Sequence, residues 1–316
     1  MGSAVLTSST GSVILGGFIN AAKMASTASG RDARDHRVVF LGGGSAAVGY
    51  VVSLSKRLEL MNSVAKEMMN YFTMLGLSEQ EARERFWLID TKVRLTDRRE
   101  DETDIQGLIT HSRPDVVAGK LASHKKYFIR NDTTTEFGSL AEVIEHVKPT
   151  ALVGLSTTFG AFPEPVVRRM ADLNTTPIIF PLSNPTSKCE LSFSDALKWT
   201  DGKVLFASGS PYPSMQYKGT MREPGQGNNF LVFPGIGFGA LACGATKVTD
   251  QMITASALGL SESLTKEEKE AGLLYPRLER IREVSASVAA RVVKAAQEGR
   301  VDTAAKLRGM SESVRR

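Results

Sequence analysis

The chain has 316 residues, enough for one large domain or two small ones, and its 42% hydrophobic content can supply a packed core. Its net charge of +5 is mild and its basic residues are interleaved with acidic ones, so nothing in the composition requires nucleic-acid binding. No apolar run approaches the roughly 18 residues of a transmembrane helix, and we expect no membrane insertion.

The first 31 residues contain no acidic residue and carry Lys23 and Arg31. One interpretation of this composition is an organelle transit peptide. We favour the other, a helix that leads into the first strand, because apolar residues recur at helical spacing. The predicted apolar face consists of Val13, Ile14, Phe18, Ala21 and Ala22.

Residues 37–47 predict a β-branched strand that turns through glycines into a helix. The turn reads G-x-G-x-x-A: Gly42 permits the bend, Gly44 lets the backbone approach a phosphate, and Ala47 keeps the helix close to its strand. Amide groups at the start of that helix would face an anion. We therefore predict a dinucleotide pyrophosphate site here; the alternative is an ordinary tight strand-to-helix turn.

A second buried strand is predicted from Arg85 to Asp90, where a short apolar run ends in an acid. Asp90 is placed to bind a ribose, although it could instead cap a turn. An extra helix is predicted between the glycines and this strand, and its apolar face consists of Leu58, Met61, Val64, Met68 and Phe72.

Strands and helices continue to alternate along the chain. Helices are predicted at Leu140–Val147, Pro163–Leu173 and Phe193–Trp199, and strands at Ala151–Leu155, Pro177–Phe180 and Lys203–Ala207. This order predicts the α/β class: a Rossmann-type, doubly wound, mostly parallel sheet with helices on both faces, followed by C-terminal helices.

Polar clusters follow three successive strands, at residues 156–158, 183–186 and 208–211. Turns commonly use such residues, but ligands of parallel sheets bind at the carboxyl ends of the strands, so we expect a site at this edge. A glycine-rich loop at Pro224–Asn229 and three helices come next. Leu278, Ile281, Val288 and Val292 are predicted to form the core face of the last helix. Cys189 and Cys243 are predicted to be buried thiols of a protein in a reducing compartment.

Taken together, these residues resemble the malic enzymes, which oxidatively decarboxylate malate to pyruvate and CO2 with NAD or NADP and Mg²⁺ or Mn²⁺. The similarity extends from about Thr10 to Val301 and corresponds to the cofactor-binding domain of the family. The matching stretches are Phe40–Ala47, Lys148–Ala151, Pro177–Phe180, Leu182–Lys188, Lys198–Gly202, Leu205–Pro211 and Pro224–Gly235.

The resemblance implies roles for individual residues. It assigns the pyrophosphate to Gly42, Gly44, Ser45, Ala46 and Ala47, the adenosine ribose to Asp90, and the surroundings of the nicotinamide to Ser156, Thr157 and Asn184. It also implies that Asn184 and Asn228 hydrogen-bond the carboxylate or hydroxyl of malate. Loop capping is the alternative role of these two asparagines.

Two departures from the family pattern shape our expectations. The catalytic tyrosine and lysine, the substrate arginine and the metal-binding carboxylates of the family lie upstream of this domain, and Val5–Thr10 has no carboxylate where the family has Asp-Asp-Ile-Gln-Gly-Thr. We therefore expect no catalytic or metal-binding residue in this chain, and little activity from the chain alone.

Residues 93–106 form a charged insertion, interpreted as a retained intron or a surface loop. The predicted organisation is a leading helix and inter-domain join at 1–36, the cofactor domain at 37–300 and a short tail at 301–316.

Three functions remain open at this stage: a malic enzyme represented by an incomplete chain, a catalytically silent dinucleotide-binding module or truncated gene product, and a different two-domain dehydrogenase of amino or hydroxy acids. The matches at residues 183–186 and 225–229 argue against the last. Expected partners are a dinucleotide, malate or pyruvate, and a second copy in a homo-oligomer, with no nucleic acid and no membrane. We expect a cytoplasmic or mitochondrial-matrix protein, the cytoplasm slightly favoured. The choice between NAD and NADP is open, with Lys120, Lys125 and Lys126 as candidate ligands of a 2′-phosphate.

Overall fold

The computed structural model describes residues 2–42, 64–91, 105–109, 112, 117 and 128–304. The chain divides into two compact units, which we describe separately. The sheet unit comprises residues 22–62 and 72–226, and the helical unit comprises residues 1–21, 63–71 and 227–316.

A seven-stranded sheet forms the centre of the sheet unit, with the strand order β3-β2-β1-β4-β5-β6-β9. Among the described strands of this seven-stranded sheet, β3 alone runs antiparallel to its neighbour. The strand order reverses between β1 and β4, as it does at the ligand-binding crevice of doubly wound sheets. The strands are β1 (Val38–Leu41), β2 (Phe86–Thr91), β3 (Ile105–Leu108), β4 (Ala151–Gly154), β5 (Ile178–Pro181), β6 (Leu205–Ser208) and β9 (Gly225–Gln226), and a separate hairpin consists of β7 (Met215–Tyr217) and β8 (Thr220–Arg222).

Apolar side chains of the central strands pack against helices on both faces of the sheet. Every residue of β1, β4, β5 and β6 is buried, as expected for parallel strands covered on both sides. On one face, Val39 and Leu41 belong to a core cluster shared with helices α4 (Leu140–Val147), α5 (Glu164–Leu173) and α6 (Phe193–Trp199). On the other, Phe40 lies against Phe86, whose ring meets Phe72 edge-on at a centroid distance of 5.6 Å. The predicted fold class is confirmed.

Local capping explains why the predicted helices begin where they do. The Ser139 side chain accepts a hydrogen bond from the backbone N of Glu142 at the start of α4, and Ser192 does the same for Asp195 at α6. The bounds of α4 and α6 are the predicted ones. Helical residues 64–74 form α2, and Val64, Met68 and Phe72 are buried in it, whereas Leu58 and Met61 lie outside the described residues. A short helix, α3 (Glu79–Arg83), precedes β2.

Helices α1 (Gly2–Ser29), α7 (Phe233–Ala242), α8 (Asp250–Glu262), α9 (Lys266–Glu270) and α10 (Ile281–Glu298) complete the described fold. The predicted apolar face of α1 is confirmed, because its five residues are at most 2% exposed. Glycines allow α7 and α8 to approach α10 closely. A Cβ at Gly235 would lie 2.6 Å from Val288, one at Gly239 would lie 3.0 Å from Val292, and one at Gly259 would lie 2.9 Å from the Val288 backbone.

The structure corrects several predictions. Leu278 is 50% exposed because it lies in a 3-10 turn before α10, so its assignment to the core face is wrong, although Val288 and Val292 are fully buried. Residues 233–304 contain four α-helices rather than the predicted three. The predicted loop at 224–229 contains β9, and the last two residues of the predicted insertion belong to β3; residues 93–104 lie outside the described residues. None of the described helices is long and apolar enough to cross a membrane.

Candidate dinucleotide site

The candidate site lies where β1, β4 and β5 end side by side. Their register pairs Leu41 with Gly154, and Gly154 with Pro181, so the three turns that follow start at the same level. Backbone hydrogen bonds continue past the strands, from Leu155 N to Leu41 O at 2.8 Å and from Leu182 N to Gly154 O at 2.8 Å. The sheet thereby brings the predicted polar clusters after β4 and β5 together.

Gly42 marks the point where the strand order reverses. Its φ is +137°, a conformation that side chains disfavour. A Cβ at this position would lie 2.5 Å from the carbonyl carbon of Leu155 and 2.8 Å from Ser156 N. The turns after β1 and β4 can therefore approach each other only if residue 42 is glycine. The other predicted pyrophosphate ligands, Gly44, Ser45, Ala46 and Ala47, lie outside the described residues.

Asp90 lies near the end of β2. Asp90 pairs with Gly107 of β3, and the register shifts between Asp90 and Thr91. The Asp90 side chain lies outside the described residues, as do Lys120, Lys125 and Lys126, so their predicted roles stay predictions.

A buried carboxylate connects the turns after β4 and β5. Glu190 is 0% exposed and accepts hydrogen bonds from Ser156 N at 2.7 Å, Ser156 Oγ at 2.8 Å and Ser183 N at 3.3 Å, together with a short one from Ser183 Oγ. Ser183 Oγ in turn accepts from Thr157 N at 2.8 Å. Gly154 leaves room for this carboxylate, because a Cβ there would lie 2.6 Å from Glu190 Cδ.

The turn after β4 is held in an uncommon conformation by these contacts. Thr157 has a φ of +56°, in the left-handed region that few non-glycine residues occupy. Such strain persists where surrounding contacts over-determine the backbone, as the bonds of Ser156, Ser183 and Glu190 do here. The predicted nicotinamide neighbours Ser156 and Thr157 are thus both half-buried and fixed at the edge of the sheet.

The two predicted amide ligands lie in different units. Asn184 is exposed in the turn after β5, and its Oδ1 accepts a short hydrogen bond from Ser210 Oγ. This bond orients the amide so that its nitrogen is the atom able to donate to a carboxylate. Asn228 belongs to the helical unit, where its Oδ1 accepts from Phe230 N at 3.0 Å and caps the 3-10 turn Asn229–Leu231. Asn228 therefore has the loop-capping role that was given above as the alternative to binding malate.

Glu190 is the residue that prediction from the sequence missed. An acid between the apolar residues Cys189 and Leu191, directly after a polar turn, was the available indication, because an isolated charge in an apolar segment needs buried partners. Both cysteines are buried and free, as predicted. The described residues include no group of three or more His, Cys, Asp or Glu side chains that could hold a metal ion.

Comparison with known proteins identifies the family. Residues 7–297 match the family model described as "Malic enzyme, NAD binding domain". The chain belongs to the malic enzyme NAD-binding domain family. The family predicted from the residues is confirmed, and with it a dinucleotide-binding domain of an oxidoreductase family.

Relatives named NADP-dependent and relatives named NAD-dependent both contain this malic enzyme domain. The chain is 42% identical over 289 residues to the NADP-dependent malic enzyme of Dictyostelium discoideum, covering 92% of this chain and 46% of the relative. It is 36% identical over 294 residues to the NAD-dependent malic enzyme 3 of Bacillus subtilis, covering 93% and 47%. The malic enzyme domain described here therefore spans about half the length of these relatives.

Solved structures of malic enzymes share the fold. The crystal structure of the Entamoeba histolytica malic enzyme matches with a TM-score of 0.66 at 21% identity, over 97% of this chain and 50% of that one. The malic enzyme from Pyrococcus horikoshii Ot3 matches with a TM-score of 0.61 at 21% identity, over 98% and 57%. At this identity the likeness establishes the fold alone.

Proposed function

We propose that this malic enzyme domain binds NAD(P) at the carboxyl ends of β1, β4 and β5 and takes part in the oxidative decarboxylation of malate to pyruvate and CO2. The observation that carries the proposal is the close approach of the turns after β1 and β4, which only a glycine at position 42 permits. A dinucleotide pyrophosphate needs such a side-chain-free approach to the backbone.

The proposed roles follow the order of the strands. Gly42, together with Gly44, Ser45, Ala46 and Ala47, holds the pyrophosphate, and Asp90 holds the adenosine ribose. Ser156 and Thr157 lie beside the nicotinamide, which accepts the hydride from the C2 atom of malate when bound.

Asn184 donates its amide hydrogens to the malate carboxylate or to the cofactor, while the malate-binding role of Asn228 stays a prediction. The support for Asn184 is its bond to Ser210, which directs the amide nitrogen away from that partner. The Mg²⁺ or Mn²⁺ of the proposed reaction needs ligands outside the described residues. Free buried thiols favour a reducing compartment, and we propose the cytoplasm or, less favoured, the mitochondrial matrix. A homo-oligomer stays a prediction.

Calorimetric titration of the 316-residue chain with NAD⁺, NADP⁺ and ADP-ribose tests the proposal. We expect binding of ADP-ribose and of at least one dinucleotide. A Gly42→Ala variant is expected to weaken both at least about tenfold, because the added methyl separates the two turns. Gly219→Ala is the matched control: residue 219 also has a positive φ, of +79°, but a Cβ there meets no atom within 4 Å.

Two results would contradict the proposed site. One is the absence of binding to the wild-type chain at millimolar ligand, and the other is unchanged affinity in a folded Gly42→Ala variant. An assay of malate-dependent cofactor reduction with Mg²⁺ or Mn²⁺ completes the test. Turnover supports the full reaction, whereas binding without turnover identifies a dinucleotide-binding module.

A further inference from the structure

Glu190 forms hydrogen bonds with the two turns of the candidate site. The four hydrogen bonds described above reach its carboxylate from the backbone N and the hydroxyl of Ser156 and from the same two groups of Ser183. An ionised carboxylate can only accept hydrogen bonds, so both serine hydroxyls must donate their single hydrogen to it.

This requirement determines the direction of the next bonds. Because the Ser183 hydroxyl donates to Glu190, its oxygen accepts from Thr157 N. For the same reason Ser156 Oγ accepts from Thr158 N at 3.2 Å. The N–H groups of Ser156, Thr157 and Thr158 are therefore all bonded within the protein, and the hydroxyl hydrogen of Thr158 is directed to Ser156 O at 3.4 Å.

These bonds leave the turn after β4 to offer a ligand hydrogen-bond acceptors and not N–H donors. Phosphate-binding turns present N–H donors to the anion, and these three N–H groups are already bonded. Oxygen lone pairs of carbonyl and hydroxyl groups are what the turn can present instead. At the nicotinamide end of a dinucleotide, the complementary group is the carboxamide, whose NH2 supplies two donors.

We propose that Glu190 is a positioning residue that keeps the turn after β4 in this acceptor state, and that the turn receives the N–H groups of the nicotinamide carboxamide. Glu190 acts through Ser156 and Ser183 and not by touching the cofactor. Because this role rests on the proposed dinucleotide site, its test must separate the carboxamide contact from binding of the rest of the dinucleotide.

Binding of three ligands to the 316-residue chain separates these contributions: the preferred natural dinucleotide, ADP-ribose and the 3-acetylpyridine analogue of that dinucleotide. ADP-ribose lacks the nicotinamide and reports on the pyrophosphate and adenosine contacts. The 3-acetylpyridine analogue of the preferred dinucleotide keeps the ring and its carbonyl but has a methyl group in place of the NH2. We expect the wild-type chain to bind the natural dinucleotide about 2- to 10-fold tighter than this analogue, the ratio that one hydrogen bond supplies.

Two variants and one control are measured by calorimetry. Glu190→Gln keeps the shape but puts an NH2 donor against groups that themselves donate, and Ser183→Ala removes the acceptor of Thr157 N. Both are expected to reduce the preference for the natural dinucleotide to less than about twofold, with the ADP-ribose affinity within about twofold of wild type. Glu268→Gln is the control, because Glu268 is 2% exposed and accepts from two backbone N–H groups in the helical unit. It should keep the wild-type ratio.

The outcomes distinguish the two proposals. The role of Glu190 would be overturned if Glu190→Gln and Ser183→Ala both kept the wild-type preference for the natural dinucleotide over its acetyl analogue. An equal loss of affinity for all three ligands in these variants would also overturn it. Equal affinity of the wild-type chain for the natural dinucleotide and its acetyl analogue would overturn the carboxamide contact alone. If neither ADP-ribose nor any dinucleotide binds the wild-type chain, the proposed function itself fails. Loss of the ratio in both variants with ADP-ribose binding preserved supports the inference.

Discussion

Glu67 should make the stability of the protein depend on pH. Its side chain lies in α2 at 4% exposure, with Thr254 Oγ1 of α8 at 2.7 Å from its Oε2. Burial, only partly offset by this hydrogen bond, raises the pKa of Glu67 from 4.5 to about 7. The protonated form also suits the contacts, because Glu67 can then donate to Thr254 while that hydroxyl donates to the backbone O of Asp250 at 3.1 Å.

The sign of the effect follows from the raised pKa of Glu67. Below pH 4.5 the carboxyl is protonated in both the folded and unfolded states, and its contribution to stability is fully present. As the pH rises towards about 7, the unfolded state ionises first, so stability is lost. At about 1.4 kcal/mol per pH unit, the loss reaches about 3 kcal/mol and levels off above pH 7.

Urea denaturation at pH 5, 6, 7 and 8 measures this loss as a change in the free energy of unfolding. Glu67→Gln is nearly isosteric and neutral, so we expect it to exceed the stability of the wild-type protein by less than about 1 kcal/mol at pH 5 and by about 3 kcal/mol at pH 8. Glu164→Gln, which removes an exposed carboxylate paired with Arg168, is the control and should follow the wild-type profile. Parallel profiles of the wild-type protein and Glu67→Gln would refute the reasoning.

Packing and burial make further predictions. Gly17→Ala should lower the free energy of unfolding by about 1–3 kcal/mol, because its Cβ would lie 2.2 Å from the hydroxyl oxygen of the buried Tyr275. Gly237→Ala should raise the free energy of unfolding by about 0.5–1 kcal/mol, because Gly237 lies in α7 and its added Cβ would meet no atom within 4 Å. Equal effects in urea denaturation would contradict this. Burial raises the pKa of the Cys189 and Cys243 thiols, so Ellman's reagent at pH 8 should react with neither in the folded protein and with both in urea. Rapid reaction of the folded protein would contradict the buried positions.

Local pattern was sufficient to predict the central strands and the main helices of the sheet unit. Apolar residues at helical spacing and the capping serine Ser139 placed α4 at Leu140–Val147, where the structure has it. Short apolar runs likewise predicted β2, β4, β5 and β6 to within two residues. These features act over one helical turn or one strand, so they are readable without knowledge of the fold.

The composition of the site turns was predictable, but their contacts were not. The glycine pattern singled out Gly42, yet its nearest obstacle is the Leu155 backbone, more than one hundred residues away along the chain. Glu190 lies 34 residues from Ser156, and no periodicity connects the two. Leu278 was assigned to the wrong surface because spacing alone does not show that a 3-10 turn precedes α10.

The sequence by itself determined the family, the fold class, most of the regular elements and the polar character of the turns after the strands. The tertiary structure alone decided which turns meet, why residue 42 must be glycine, and which buried carboxylate orients the turn after β4. The physical reason is the range of the interactions. Hydrogen bonding and side-chain periodicity within an element depend on neighbours along the chain, whereas the meeting of β1, β4 and β5 depends on the register of the whole sheet.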